Sequence, residues 1–457
     1  MNYSKEDSIA ALATAAGKSA IAVIRLSGKN AFQIINKIFK TNSKSSQQIK
    51  YGYIVDGTEK KDEVICSFFK KPHTYTGENL VEISVHGNPI IINEVLNLLY
   101  KNGARSAQPG EFTYRAFLNG KKDLAEAEAV CDLITSKTNA SIKAALNNIE
   151  GLFSSKVKTI KNNLTNLIAF MEANLDHPDI VFLSCEEKLL RLDSYIKDIQ
   201  NLLKTYKTSK ILQNGIKVVI IGKPNVGKSS LLNTIIGKNK AIVTNIAGTT
   251  TDVIEETINY KGIPLTIIDT AGIRGHNKNL IELLGQKKTK ETIKTADILL
   301  WMFDGSINLD QNDLKIATFL KASKLTVRII AVLNKTDLPL KLSIDSALDI
   351  NQLTSTIIKI STKNETGIFN LLNEITKVAG FSDFVNDRFM INSRHSILLQ
   401  NALNSLIKTR EILDTKDADE IAHFEIVNAQ TALNEILGIN TNQDILDTIF
   451  STFCIGK

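Results

Sequence analysis

The strongest constraint in these 457 residues is a short glycine-bearing segment near the middle of the chain. Gly222-Lys223-Pro224-Asn225-Val226-Gly227-Lys228-Ser229 fits the pattern G-x-x-x-x-G-K-[ST], directly after the apolar run KVVII and before SSLLNTIIG. A strand that turns through two glycines into a helix aims several backbone N–H groups at one point, and the helix N-terminus favours an anion there. Asn225, Val226, Gly227, Lys228, Ser229 and Ser230 are therefore expected around the phosphates of a nucleotide. Lys228 would reach the β- and γ-phosphates, and the Ser229 hydroxyl would ligate Mg²⁺.

That segment also sets the fold around it. The β-rich runs KVVIIG, PLTIIDT, DILLWMFDG, VRIIAVLNK and TIIKIST alternate with helical stretches. Apolar runs separated by helices predict a mostly parallel sheet covered on both faces. Upstream, AIAVIRLSG and NLVEISVHG with Gly/Pro/Asn punctuation predict an α+β region, and Thr41–Lys50 reads as a loop. From Asp123 to Leu175 apolar residues recur at three- and four-residue spacing without proline, predicting two or more long helices that stop near Asp176–Asp179. A further helix is expected over about Glu186–Tyr206, and helical periodicity returns beyond Phe381, with Gly438 as a C-cap. The expected architecture is multidomain, α/β plus α. Its parts are residues 1–120 as an α+β domain, 121–212 and 381–457 as two halves of a discontinuous α-helical domain, and 213–380 as an inserted, doubly wound P-loop domain.

The base is selected elsewhere in the sequence. Asn334-Lys335-Thr336-Asp337 closes the strand RIIAVLN in the manner of N-K-x-D, where an Asp carboxylate can accept from both N1–H and the 2-amino group of guanine. Adenine lacks that donor pair and would leave the carboxylate unpaired. Ser361, Thr362 and Lys363 follow TIIKI and form the loop expected to support the guanine carbonyl. Asp269, Thr270, Ala271 and Gly272 form a D-x-x-G element, with Asp269 holding Mg²⁺ through water and the Gly272 amide sensing the γ-phosphate. Four such elements in order, each at a strand end, make GTP the expected ligand.

Hydrolysis needs a group that orients water. Ile273 follows D-x-x-G where Ras-like proteins place glutamine, so Glu282 in the loop Ile273–Gly285 is the candidate for positioning or deprotonating the water; a solvated surface glutamate is the competing reading. Gly248, Thr249, Thr250, Thr251 and Asp252 read as a switch segment, with the Thr250 hydroxyl on Mg²⁺. Asn225 can offer an oxygen to a monovalent cation bridging the phosphates, which makes K⁺ an expected cofactor.

Composition excludes little. The net charge of +7 permits an RNA partner without requiring one, and Cys66, Cys131, Cys185 and Cys454 lie too far apart for a metal-binding spacing. No apolar run spans a bilayer, and the opening MNYSKEDSIA resembles neither a signal nor a transit peptide, so a cytoplasmic chain with no membrane association is expected.

The segments GKPNVGKSSLLN, GTTTDVIEE, DTAGIR, TYTGENLVEI, PGEFTYRAFLNGKKDLAEAEAV and FCIGK together resemble the MnmE (TrmE) family of tRNA-modification GTPases over essentially the whole chain. The resemblance implies an N-terminal folate-binding and dimerisation domain, a helical domain and a G domain, in a homodimer. It also implies a flavoprotein partner of the MnmG type (carrying FAD, in a heterotetramer) and modification at C5 of the wobble uridine of certain tRNAs. The one-carbon donor would be 5,10-methylene- or 5-formyl-tetrahydrofolate. By matching motifs, folate contacts fall on Arg25, Glu82, Lys121 and Lys457, and the K⁺ shell on Asn225, Thr244, Ile246 and Thr249. Thr244, Asn245, Ile246, Ala247, Gly248, Thr249 and Thr250 then form the switch that meets the nucleotide. Glu282 falls on the family's catalytic position, and Cys454 on a position needed for modification, either as a nucleophile on uracil C6 or as a structural or gating element of the tail. Two departures stand out, Thr251 in place of Arg in GTTRD and Asn88 in place of Gly in HGG. A regulatory GTPase acting in RNA or ribosome assembly is the alternative function; no GXXG clamp follows Phe381 to favour it.

Overall fold

The computed structural model describes residues 7–42, 48–177, 179–180, 182–238, 254–269, 287–323, 327–342, 353–354, 356–380, 389–415 and 419–457. The chain divides into two compact units. The first comprises Met1–Cys131, Asn148–Ile196 and Leu398–Lys457, and the second Asp132–Asn147 and Lys197–Ile397.

The first unit holds a seven-stranded sheet in the order β3-β4-β5-β6-β2-β1-β7. Its strands are β1 (Ser8–Leu12), β2 (Ser19–Ser27), β3 (Phe39–Lys40), β4 (Ile49–Asp56), β5 (Glu59–Phe69), β6 (Leu80–Gly87) and β7 (Ala104–Ser106). Only β1 and β7 pair in parallel. Burial alternates along β6, so Val81, Ile83 and Val85 enter a core with helices α1 (Ala31–Ile38) and α2 (Pro89–Lys101), while Glu82, Ser84 and His86 take the other face. Helix α2 explains one sequence departure. Asn88 is its N-cap, accepting from the Ile90 amide at 2.9 Å, and Pro89 opens the first turn where its missing N–H costs nothing.

Next come α3 (Glu111–Leu118), α4 (Leu124–Thr135), α5 (Asn139–Ile149) and α6 (Leu152–Asp176), so the periodic stretch after Asp123 forms three helices, within the expectation of two or more. Helix α7 runs Cys185–Asn214, eight residues beyond the expected Tyr206. In the first unit, α6 lies antiparallel to α13 (Asp419–Leu437), with Gln430 bonded to Thr165 and His423 to Glu172. Val157, Ile160, Leu164 and Leu167 face this pairing on α6, and Ala422, Ile426, Ala429 and Leu433 on α13. Helix α14 (Gln443–Ser451) brings Phe450 onto Tyr114, at 5.1 Å between ring centroids.

The second unit contains a six-stranded sheet in the order β13-β12-β11-β8-β10-β9. These strands are β8 (Ile216–Ile221), β9 (Ile254–Tyr260), β10 (Ile263–Asp269), β11 (Ile298–Asp304), β12 (Arg328–Asn334) and β13 (Thr356–Lys359). All neighbours are parallel except the edge pair β9–β10. Strands β10 and β11 are buried at every position, as a sheet covered on both faces requires. Helices α8 (Lys228–Lys238) and α11 (Ile368–Val378) pack on one face through Leu231, Ile235, Leu371 and Ile375. On the other face, α9 (Lys287–Lys294) contributes Ile293, and α10 (Gln311–Ala322) contributes Ile316 and Leu320. Helix α12 (Ser393–Asp414) completes the sequence of elements. The expected fold class, with an α+β N-terminal part, helical segments and a doubly wound P-loop sheet, is the one observed. No helix among the described residues is long and apolar enough to cross a membrane.

A charged cluster holds the first unit together. Glu111, with no solvent exposure, accepts from Arg105 Nη1 at 2.8 Å, Arg115 Nη2 at 3.0 Å and the Gln108 amide at 2.9 Å. Arg115 also reaches Asp7 at 2.7 Å and Glu78 at 3.2 Å. Removing one member of a buried ionic group leaves its partners uncompensated, at roughly 3–5 kcal/mol. Because Arg115 keeps two other carboxylates, Glu111→Gln is expected to cost about 3 kcal/mol, read as a lower urea midpoint of the transition that includes the N-terminal sheet. An unchanged midpoint would show that the cluster contributes no net stability.

Candidate functional site

Parallel strands that all point one way deliver their following loops to one edge of the sheet. Here the loops after β8, β11 and β12 share that edge with Asp269, the last residue of β10. The loop after β8 carries Asn225 at φ 66° and Gly227 at φ 99°. A Cβ on Gly227 would lie 2.3 Å from Asn334 Nδ2, so both the conformation and the close approach demand glycine. Lys228 is buried and donates to the carbonyls of Gly222 and Lys223, each at 2.9 Å; burial pushes its pKa below the usual lysine value, with Asp269 opposing the shift. Ser229 Oγ donates to Asp269 Oδ2 at 2.8 Å. Two hard oxygen ligands side by side at a phosphate loop fit Mg²⁺.

The base-recognition residues interlock. Asn334 Nδ2 donates to the Val226 carbonyl at 2.8 Å, and its Oδ1 accepts from the Thr362 amide at 3.0 Å. Ser361 Oγ donates to Asp337 Oδ1 at 2.7 Å, and this bond holds the Asp337 carboxyl below the usual carboxylate range. Asp337 is therefore ionised and oriented, as an acceptor of two guanine N–H groups must be. Lys335, at φ 64°, bonds Asp304 Oδ2 at 2.5 Å. Burial pushes the Asp304 carboxyl up, but hydrogen bonds from Lys335 and Ser306 hold it below its usual value. Asp304 and Lys223 were not legible as site residues. Lys223 bonds Asp313 at 2.7 Å and Asp310 at 3.0 Å, tying the phosphate loop to the start of α10.

Ser230 lies in the first turn of α8, and Lys363 follows Thr362. Thr244, Asn245, Ile246, Ala247, Gly248, Thr249, Thr250, Thr270, Ala271, Gly272 and Glu282 lie outside the described residues.

A second group assembles in the first unit. Arg25 and Glu82 stand opposite each other on β2 and β6, with Arg25 Nε 2.8 Å from Glu82 Oε1. Arg25 Nη1 also reaches the Gly456 carbonyl at 3.4 Å, and its guanidinium lies 5.4 Å from the centre of the Tyr75 ring. Glu82 and Lys121 line one pocket of about 330 Å³ with Phe69, His73, Thr74, Tyr75 and Leu80. Burial and then the nearby Arg25 charge push the Lys457 ammonium below its usual pKa, and Glu82 opposes them. All four residues expected around a folate thus meet here. Tyr75 and Phe69 are additions that only packing identifies. The tail that carries Lys457 is fixed in place: the Phe112 amide donates to the Lys457 carbonyl at 3.2 Å, and a Cβ on Gly456 would lie 2.2 Å from the Leu12 carbonyl. Cys454 is exposed, while Phe453 beside it is buried against Phe450.

The glycine geometry makes a direct prediction. Gly227→Ala should leave the far-ultraviolet circular dichroism spectrum unchanged yet weaken GTP binding at least about tenfold, since about 1.4 kcal/mol of strain suffices; titration calorimetry would read it. Native affinity in this variant would contradict the close approach described above.

The family model described as the MnmE helical domain matches residues 124–454, and that described as GTP-binding protein TrmE N-terminus matches residues 8–121. The tRNA modification GTPase MnmE of Endomicrobium trichonymphae is 70% identical over 459 residues, covering 100% of both chains. Its counterpart in Aquifex aeolicus (strain VF5) is 41% identical, covering 98% of this chain and 99% of its own. That of Clostridioides difficile (strain 630) is 39% identical over 99% of each. With two family models meeting almost end to end and relatives matched along their whole length, the chain belongs to the MnmE (TrmE) family of tRNA modification GTPases.

Proposed function

We propose that this chain is a GTP hydrolase that modifies C5 of the wobble uridine of tRNA, installing a carboxymethylaminomethyl- or aminomethyl-type group. The observation that carries the reading is the interlock of Val226, Asn334, Thr362, Ser361 and Asp337 at the edge where Lys228, Ser229 and Asp269 meet. Asp337 accepts from the guanine edge, the amides around Asn225–Ser230 receive the phosphates, and Lys228 moves from its loop carbonyls to the β- and γ-oxygens. Glu282 orients or deprotonates the attacking water, which adds in line to the γ-phosphorus as the bond to the β-phosphate oxygen breaks and GDP leaves. Mg²⁺ held by Ser229, Thr250 and, through water, Asp269, with K⁺ held by Asn225, Thr244, Ile246 and Thr249, would offset the charge that builds on the leaving oxygens.

The N-terminal pocket is the proposed site for tetrahydrofolate, as the 5,10-methylene or 5-formyl form. Its carboxylate at Glu82 suits an amino-pyrimidine edge, and Arg25, Lys121 and Lys457 suit the glutamate tail or a polarised formyl oxygen. A homodimer, an MnmG-type FAD protein, tRNA and a cytoplasmic location complete the proposal. Cys454, exposed on an anchored tail, would act as a nucleophile on uracil C6 or as a structural or gating element of the tail.

Four measurements test this reading. GTP hydrolysis should be faster in KCl than in NaCl at equal ionic strength, and equal rates would remove K⁺ from the mechanism. Asp337→Asn should lower kcat/KM for GTP by about 10²–10³-fold, the scale for losing a charge-assisted bidentate contact of about 3–4 kcal/mol. The same variant should gain activity on xanthosine triphosphate, whose base replaces the 2-amino donor with a carbonyl acceptor. Mass spectrometry of tRNA from a strain lacking the gene should show unmodified wobble uridine; intact modification would refute the assignment.

A further inference from the structure

The second unit carries a groove at the edge of its sheet opposite the nucleotide loops. It has a volume of about 240 Å³, and its floor is apolar, built from Ile211, Ile216, Val378 and Ala379. Lys207, Lys210 and Arg328 stand on its rim with Asp297 and Asn214. Lys207 and Lys210 are three residues apart on α7 and so share one helix face; Arg328 opens β12. None of these three cations has a hydrogen bond or ion pair among the described residues. The single rim carboxylate is already engaged, with Asp297 Oδ2 accepting from the Lys217 amide at 2.8 Å.

Its place in the fold separates this groove from GTP. Ile216 begins β8, Asp297 precedes β11 and Arg328 begins β12, whereas the phosphate loop and Asn334 follow the far ends of β8 and β12. Six-residue strands put the two edges on the order of 20 Å apart. Three cations against one carboxylate leave a net positive rim over an apolar floor, which matches one nucleotide unit of a polyanion, with phosphodiester on the rim and ribose or base against the floor. A free mononucleotide would bring a single phosphate to these three cations, whereas a strand runs successive phosphates along the lysine face of α7.

We propose that this groove anchors the backbone of the tRNA on the second unit, away from the GTP site. The proposal rests on the tRNA-modifying function stated above and adds the surface that holds the substrate. The anchor is sequence-independent, so it contributes affinity and orientation rather than choice of tRNA.

The test uses the full chain and an unmodified tRNA transcript, with dissociation constants from fluorescence anisotropy between 50 and 200 mM KCl. The triple variant Lys207→Glu/Lys210→Glu/Arg328→Glu should bind about tenfold more weakly at 100 mM KCl. Its slope of log affinity against log salt should be shallower by about 2, at about 0.7 per phosphate contact on a single strand. GTP hydrolysis without RNA should be unchanged, which shows that the variant is folded. Lys207→Arg/Lys210→Arg should retain wild-type binding. A triple variant with wild-type affinity and slope overturns the proposal while leaving the tRNA reading intact. Displacement of the RNA by millimolar uridine monophosphate would assign the groove to a free nucleotide and also overturn it. A wild-type chain that shows no binding to tRNA at 50 mM KCl would remove the functional reading and the anchor together.

Discussion

The carboxamide of Asn334 faces two loops at once, giving a proton to the Val226 carbonyl of the phosphate loop and taking one from the Thr362 amide of the guanine loop. This side chain sits at the end of β12, is almost fully buried, and closes against Gly227 so tightly that no Cβ fits between them. The loop expected to hold phosphates and the loop expected to hold the base are therefore not independent modules. One amide group ties them at a fixed spacing. The hydrophobic sheet supplies the rigid base for this arrangement. Strand β11 is buried throughout, so the loop that follows it inherits a position fixed by close packing.

Much of this was legible from residue order. Gly222 to Ser229, Asp269, Asn334 to Asp337 and Ser361 to Lys363 announce themselves because each depends on local backbone geometry at a strand end, which a short motif encodes. The doubly wound sheet follows for the same reason. Less legible were features set by distant partners. Asp304 is an ordinary aspartate until Lys335, just past the neighbouring strand β12, reaches it, and Lys223 shows its role only when the start of α10 presents Asp310 and Asp313. Helix α7 outran its expected end because YKTSKILQN carries no glycine or proline to stop it before Gly215. The hairpin of β4 and β5 escaped notice because its strands carry charged residues on one face and read as polar.

Asn88 shows how a departure from a family pattern can be read physically. A glycine there would give only backbone freedom at the entrance to α2. The asparagine instead satisfies an otherwise orphaned amide of the first turn, so the change trades one way of starting a helix for another. The neighbouring His86 is held by Asp62 of the adjacent strand, with both carboxylate oxygens in use, and this bond raises the imidazole pKa above its usual value.

The contact between Arg25 and the Gly456 carbonyl joins points 431 positions apart in the sequence. Closing a segment that long costs on the order of 5 kcal/mol of chain entropy if nothing between has ordered. The intervening sheet and helices must therefore consolidate before Arg25, Glu82, Lys121 and Lys457 can stand together. Lys457 is synthesised after the other three, so the pocket it completes waits for the last of its members to dock against the sheet. Assembly of this pocket thus becomes a readout of whether the surrounding body has finished folding.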